Sequence, residues 1–176
     1  MKKKIGILGG TFDPPHKGHL GISKLSIKKL NLDYVIWAIT KKNPFKKKPL
    51  IDLKKRIFLS KKLIKNNQRI KIKSYDNIIK SSQTINLINY FKNKNKKTEF
   101  FFLMGSDNLI HLHKWKNWRK ITKKCRIIVF PRKGYVNKSL KSIAFRSIDG
   151  KNLLLLKTKM YNISSSKLRK SYLKYI

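Results

Sequence analysis

The chain has only one cysteine, Cys125, among its 176 residues. One cysteine cannot form an internal disulfide bridge, so a fold held together by disulfides is excluded. Cys125 lies at the start of a predicted buried strand, a position that favours a core residue over a reactive thiol. Because structural disulfides belong to oxidising compartments, we expect a cytoplasmic protein.

Long apolar runs are also absent from the sequence. No run of about 18 apolar residues occurs, so we expect no membrane span. The basic start, Met1 to Lys4, leads into an apolar run at 5–8 that is too short for a signal peptide. The length suits one domain with a substantial core, and we expect a single domain over residues 1–176.

Acidic residues are scarce: seven Asp and Glu stand against 45 Lys and Arg, which gives a formal net charge of +38. Such a charge can indicate nucleic-acid binding. Here lysine occurs in nearly every segment and only seven of the basic residues are arginine. This even distribution favours a solvated basic surface, and the resulting field attracts anionic substrates such as nucleotides. The few carboxylates do not form a cluster that would hold a metal ion.

Apolar segments alternate with amphipathic ones along the chain, the pattern of a parallel sheet covered on both faces. Strands are predicted at 4–8, 34–40, 69–73, 99–104, 126–130 and 153–157. Helices are predicted at 19–30, 53–64 and 84–91, with a polar turn at 93–97 and a loop at 133–141. The predicted fold is α/β: a Rossmann-like, doubly wound parallel sheet with helices on both faces and a C-terminal helix.

The most informative segment is GGTFDPPHKGH, which begins at Gly9 and follows the first predicted strand. It predicts a glycine turn and then a helix entered through His16 and His19. Glycines allow a polyanion to approach the backbone, and the N-terminus of a helix favours negative charge. With a spacing of three residues, both imidazoles lie on one face and can stabilise charge on one phosphate. The alternative is a Gly-Pro turn with two exposed histidines.

A second candidate phosphate site lies near the carboxyl end, in the segment NISSSKLR that starts at Asn162. Serines before an apolar-periodic segment predict an N-cap, and the helix is expected to continue to about residue 175. Hydroxyl groups at a helix N-terminus, with Arg169 one turn further, can hold phosphate oxygens. Plain capping of a terminal helix is the alternative.

The first motif matches the GxFDPxHxGH signature, and the chain therefore resembles the nucleotidyltransferase superfamily. Four further segments sharpen the resemblance to the nicotinate-nucleotide adenylyltransferase family: TKKNPFK at 40–46, SQTINL at 82–87, MGSDNL at 104–109 with HKWKNWR at 113–119, and ISSSKLR at 163–169. Three positions depart from the usual pattern, namely Asn86, Ser166 and Leu168.

The resemblance implies a set of site residues. The implied catalytic residues are His16, His19 and Arg169. The implied ATP-binding residues are Gly9, Gly10, Thr11, Phe12, Gly18, Gly105, Asp107, Ser165 and Ser166. The implied mononucleotide-binding residues are Lys46, Thr84 and Trp115. Trp115 offers a face on which the pyridine ring can stack, whereas Trp118 is expected to be a packing residue.

The same resemblance implies the reaction and its partners. The 5′-phosphate of nicotinate mononucleotide attacks the α-phosphate of ATP in line, which releases pyrophosphate and forms the dinucleotide. Mg²⁺ is expected to travel with ATP, since no metal ligands from the protein are expected. We expect no specific nucleic acid and no membrane as partners, and a homo-oligomer is left open. The alternatives are a pantetheine-phosphate adenylyltransferase, a cytidylyltransferase, or a basic nucleic-acid-binding protein.

Overall fold

A computed structural model describes residues 2–156 and 164–172 of the chain. Within these residues six parallel strands form one sheet in the order β3-β2-β1-β4-β5-β6. The strands are β1 Lys4–Gly10, β2 Tyr34–Ile39, β3 Ile70–Lys73, β4 Glu99–Gly105, β5 Arg126–Phe130 and β6 Leu153–Leu155. The winding direction reverses between β1 and β4, which is where ligands collect in open parallel sheets. The predicted doubly wound α/β fold is confirmed.

Helices connect the strands and cover the sheet. They are α1 Lys17–Lys29, α2 Leu53–Ile64, α3 Asp76–Ile79, α4 Thr84–Lys94, α5 Ser106–His111, α6 Trp118–Lys124, α7 Val136–Leu140, α8 Ile143–Ser147 and α9 Ser165–Tyr172. Two short 3₁₀ segments occupy Leu112–Lys114 and Gly150–Asn152. None of the helices in the described ranges combines the length and the apolar character that crossing a membrane requires.

The core consists of two apolar layers, one on each face of the sheet. Alternate side chains of a strand point to opposite faces, so Trp37 packs with α1 and α2 while its neighbour Ile36 packs with α4 and α6. Trp118 is 8 % exposed and lies in the second of these layers, as expected of a packing residue. Cys125 is buried in the same layer, and desolvation raises the pKa of its thiol to about 12. The prediction of a core cysteine is confirmed.

Several local predictions need correction. Gly9 and Gly10 belong to β1 rather than to a turn, because both pair with β2. The predicted loop at 133–141 contains α7, a helix too short to produce a detectable apolar period. Helix α4 extends through Lys94, so the predicted turn at 93–97 begins later. Parts of the last predicted strand and of the carboxyl-terminal segment lie outside the described residues, namely 157 of the strand and 162, 163 and 173–175 of the segment.

Candidate active site

The loop between β1 and α1 carries the first motif. Phe12 adopts a left-handed backbone conformation with φ of 50°, which is unusual for a residue with a side chain. Packing holds it there: the Phe12 ring is 2 % exposed and stacks on Trp37 with the ring centroids 4.9 Å apart. The Phe12 ring also lies 4.6 Å from the imidazole of His19. The loop therefore has a buried aromatic anchor beneath the two histidines.

His16 and His19 form a pair at the N-terminus of α1. His16 is the N-cap residue, and the two ring centroids are 3.8 Å apart. The backbone N–H of His16 donates to Nδ1 of His19 at 3.2 Å. In a neutral imidazole one nitrogen accepts and the other carries the proton. Neutral His19 therefore has its N–H at Nε2, where it is a hydrogen-bond donor.

Both imidazoles are neutral at pH 7. Burial, followed by the charge of Arg132, lowers the pKa of His16 to about 4. Burial also lowers the pKa of His19 well below its usual value, and the electrostatic interaction with His16, Arg132 and Lys46 lowers it further. The histidines thus meet a ligand as neutral donors. A phosphate placed between them would raise both pKa values, because a nearby negative charge stabilises the imidazolium form.

A cavity of about 190 Å³ lies at the carboxyl ends of β1, β4 and β5; we call it the ATP-side cavity. The motif near the amino end and the segment near the carboxyl end both line it. The predicted residues that the structure brings together here are His16, His19, Arg169, Gly9, Gly10, Thr11, Phe12, Gly18, Gly105, Asp107, Ser165, Ser166, Lys46 and Trp115. The two candidate phosphate sites of the sequence therefore line one cavity.

Direct bonds join α9 to the loop between β1 and α1. Ser165 Oγ donates to the carbonyl of Pro14 at 2.9 Å. Arg169 Nη1 donates to the carbonyl of Asp13 at 2.6 Å, and its Nη2 donates to Ser166 Oγ at 3.0 Å. The Asp13 carboxylate lies 3.4 Å from the same guanidinium. These contacts hold Arg169 at the wall of the cavity.

A second cavity of about 300 Å³ adjoins the first; we call it the acceptor-side cavity. Gly9, Gly10, Asn43 and Trp115 line both cavities. Thr84 lines the acceptor side, and the Trp115 ring meets Phe102 edge-on with centroids 6.0 Å apart. Lys46, which was predicted on the mononucleotide side, lies instead among the residues that line the ATP-side cavity.

The segment that lines the acceptor side between β2 and α2 is held by three charged residues that the sequence reasoning missed. Asp13 accepts from the backbone N–H groups of Leu50 and Ile51, each at 3.0 Å. Asp76 Oδ2 accepts from Thr40 Oγ1 and from the N–H of Lys41, each at 2.8 Å. The third residue, Arg56, is 2 % exposed and donates to backbone carbonyls of the same segment.

Asn86, one of the three positions that depart from the family pattern, forms a side-chain hydrogen bond. Asn86 Nδ2 donates to Ser81 Oγ at 2.9 Å, and the same oxygen accepts from the N–H of Gln83 at 3.1 Å. Asn86 therefore helps to hold the chain where α4 begins, next to Thr84.

Across the described part of the chain, no cluster of three or more His, Cys, Asp or Glu side chains could hold a metal ion.

Comparison with known proteins agrees with this geometry. The cytidylyltransferase-like family matches residues 7–171. The chain is 55 % identical over 169 residues to a probable nicotinate-nucleotide adenylyltransferase of Pelagibacter ubique (strain HTCC1062), and the match covers 96 % of this chain and 93 % of that protein. This chain belongs to the nicotinate-nucleotide adenylyltransferase family.

Two further proteins are also similar. A probable nicotinate-nucleotide adenylyltransferase of Clostridium novyi (strain NT) is 40 % identical, over 77 % of this chain and 68 % of that protein. The structure of Plasmodium falciparum nicotinic acid mononucleotide adenylyltransferase complexed with NaAD has a TM-score of 0.75 at 23 % identity, and the match covers 96 % of this chain and 83 % of that chain. At that identity the likeness shows the shared fold. The adenylyltransferase family thus accounts for nearly the whole described chain.

Proposed function

We propose that this protein is a nicotinate-nucleotide adenylyltransferase that joins ATP and nicotinate mononucleotide to give nicotinate adenine dinucleotide and pyrophosphate, a step of NAD biosynthesis. The observation that carries the proposal is the single ATP-side cavity lined by the histidine pair and by Ser165, Ser166 and Arg169. Membership of the family indicates that the acceptor is nicotinate mononucleotide. The adjoining cavity, which Trp115 and Thr84 line, has room for this molecule.

The mechanism depends on positioning and electrostatics. The 5′-phosphate of the mononucleotide is ionised at neutral pH, so its attack on the α-phosphorus needs no general base. Neutral His19, with its N–H at Nε2, donates to the α-phosphate as negative charge develops there. His16 is a second donor on the same face of the helix. The two cavities share a wall, which suits an acceptor phosphate that must reach an ATP bound next door.

Arg169 and the two serines of α9 bind the β- and γ-phosphates that leave as pyrophosphate. Their position at a helix N-terminus adds the favourable field of the helix dipole. Lys46 lines the ATP-side cavity, where its ammonium group neutralises the acceptor phosphate as it approaches the α-phosphate. Asp107 accepts hydrogen bonds from ribose hydroxyl groups.

The pyridine ring of the acceptor stacks on Trp115 in the acceptor-side cavity. A flat ring with a carboxylate needs an aromatic face and hydrogen-bond donors at its rim. Thr84, at the N-terminus of α4, supplies donors of this kind. A Mg²⁺ ion carried by the oxygen atoms of the ATP phosphates, the ligands that hard cations prefer, would offset part of their negative charge.

An assay of pyrophosphate release tests the proposal. The purified protein, ATP and Mg²⁺ are combined separately with nicotinate mononucleotide, nicotinamide mononucleotide and phosphopantetheine, and CTP replaces ATP in a parallel series. We expect release with ATP and nicotinate mononucleotide, and formation of the dinucleotide in equal amount. Turnover of phosphopantetheine or CTP in preference to this pair would refute the assignment.

Four expectations from the sequence stay predictions. They are the single domain, the cytoplasmic location, the absence of a specific nucleic-acid or membrane partner, and a homo-oligomer as one possible state. Salt dependence of oligonucleotide binding tests the third, since a basic surface without a built site binds nucleic acid weakly and only at low salt.

A further inference from the structure

Arg132 lies immediately beyond the carboxyl end of β5 and lines the ATP-side cavity with the histidine pair. Its backbone N–H donates to Ser106 Oγ at 3.0 Å, which holds the main chain at this point. Its Nη1 forms an ion pair with Asp107, and the Arg132 side chain is 34 % exposed. The guanidinium is therefore held on one side and remains accessible to a ligand.

Within residues 2–156 and 164–172, Arg132 uses little of its hydrogen-bonding capacity. A guanidinium has five N–H donors in a rigid plane. Among the described residues, its side chain donates to Asp107 alone. The remaining N–H groups are free to bind phosphate oxygens, which this planar group matches better than an ammonium group does. Arginine is rare in this chain, since only seven of the 45 basic residues are arginine. The general abundance of lysine therefore does not explain an arginine at this position.

The two arginines of the cavity occupy different places. Arg169 is tied to Asp13 and Ser166, next to the N-terminus of α9. Arg132 follows β5, which pairs with β4, and it lines the same cavity as His16 and His19. After burial, its charge is a further cause of the low pKa of both imidazoles. Because the histidines bind the α-phosphate in the proposed mechanism, Arg132 is the arginine associated with the reacting phosphate.

We propose that Arg132 is a catalytic residue that donates to a non-bridging oxygen of the ATP α-phosphate during adenylyl transfer, whereas Arg169 binds the β- and γ-phosphates. In this step an oxygen of the acceptor phosphate forms a bond to the α-phosphorus. The bond from that phosphorus to the α,β-bridging oxygen breaks, and pyrophosphate leaves with the electron pair. Arg132 keeps its proton throughout. This inference rests on the proposed adenylyltransferase function.

Steady-state kinetics of Arg132→Gln and Arg132→Lys test the inference. A donor to charge that develops in the transition state is worth about 100-fold in kcat, so Arg132→Gln should lose about that factor. Its KM for nicotinate mononucleotide should change by less than about threefold. Arg132→Lys keeps the charge without the planar fork, and we expect a smaller loss of about tenfold. Arg146→Gln, an exposed arginine on α8, is the matched control and should retain wild-type kcat.

A double-mutant cycle with Asp107 separates direct action from action through the ion pair. If Arg132 touches the phosphate, Arg132→Gln should still lower kcat by about 100-fold in an Asp107→Asn background. If the double variant is no slower than Asp107→Asn alone, Arg132 only supports Asp107 and the inference is overturned. Should Arg132→Gln fail to fold by circular dichroism, the Arg132→Lys variant decides, and a wild-type kcat there overturns the inference.

Two different results would refute the role of Arg132 and the proposed function. A wild-type protein that releases no pyrophosphate with nicotinate mononucleotide refutes the function itself. A wild-type protein that is active, together with an Arg132→Gln variant within about threefold of its kcat, refutes only the role of Arg132.

Discussion

Replacing Arg56 by methionine tests the support beneath the candidate site. The Arg56 side chain is 2 % exposed. Its Nε donates to the carbonyl of Ile51 at 2.8 Å, its Nη1 donates to the carbonyls of Thr40 at 2.9 Å and of Thr11, and its Nη2 donates to that of Lys41 at 3.3 Å. Methionine keeps an unbranched apolar stem of similar reach and removes every one of these donors.

The expected cost follows from these bonds. Hydrogen bonds from charged donors contribute about 1.5–3 kcal/mol each, and a buried carbonyl left without a partner adds a desolvation penalty. The acceptors are only partly buried or exposed, so water recovers much of this, and we expect a net loss of about 3 kcal/mol in the free energy of unfolding. At about 2–4 °C per kcal/mol for a chain of this size, Tm should fall by about 6–12 °C.

Thermal and urea unfolding followed by circular dichroism measure this loss. Arg146→Met, at an exposed position on α8, is the matched control and should lie within about 0.5 kcal/mol of wild type. We also expect a higher KM for the mononucleotide, because Arg56 holds the ends of the segment that lines the acceptor-side cavity. A Tm for Arg56→Met within about 2 °C of wild type would refute the reasoning.

Three further outcomes are expected. His19→Ala should lower kcat by about 10²–10³-fold with an unchanged circular dichroism spectrum, and full activity in the pyrophosphate assay would contradict its role. Trp115→Ala should raise the KM for the mononucleotide more than that for ATP, and equal changes would count against stacking. Stability should fall as pH drops from about 6.5 towards 4, because unfolding lets His16 and His19 bind the protons that burial excludes. A His16→Gln/His19→Gln variant with the same pH dependence of Tm would contradict this account.

The four central strands β1, β2, β4 and β5 were predictable because each is a short apolar run buried on both faces. The run around Phe102 is of this kind, and its prediction was correct to within one residue at its end. The helices α3, α7 and α8 were missed because elements of four or five residues have no room for an apolar period. The glycines at 9 and 10 were expected to turn, but strand pairing continues through both of them.

The supporting charges of the site could not be read from sequence spacing. Arg56 bonds to carbonyls of residues up to 45 positions away, and Asp76 reaches Thr40 across 36 positions. No periodicity connects such pairs, since they meet only once the strands are aligned. Asp13 lay within the recognised motif, yet its bonds to Leu50 and Ile51 depend on how the following segment returns to it. The scarcity of arginine was a clue to both Arg56 and Arg132, and the position of Arg132 just after a predicted strand was a second clue to Arg132.

The contact between α9 and the loop after β1 joins positions 151 to 156 residues apart in the chain. Contacts between such distant positions cost chain entropy to close, so we expect them to form late, once the intervening strands have brought the two ends together. We therefore expect the complete ATP-side cavity, with α9 as one of its walls, only in the fully assembled molecule. If Ser165 and Arg169 bind ATP as proposed, adenylyl transfer during refolding should recover only as α9 docks, and enzymatic turnover then reports complete assembly.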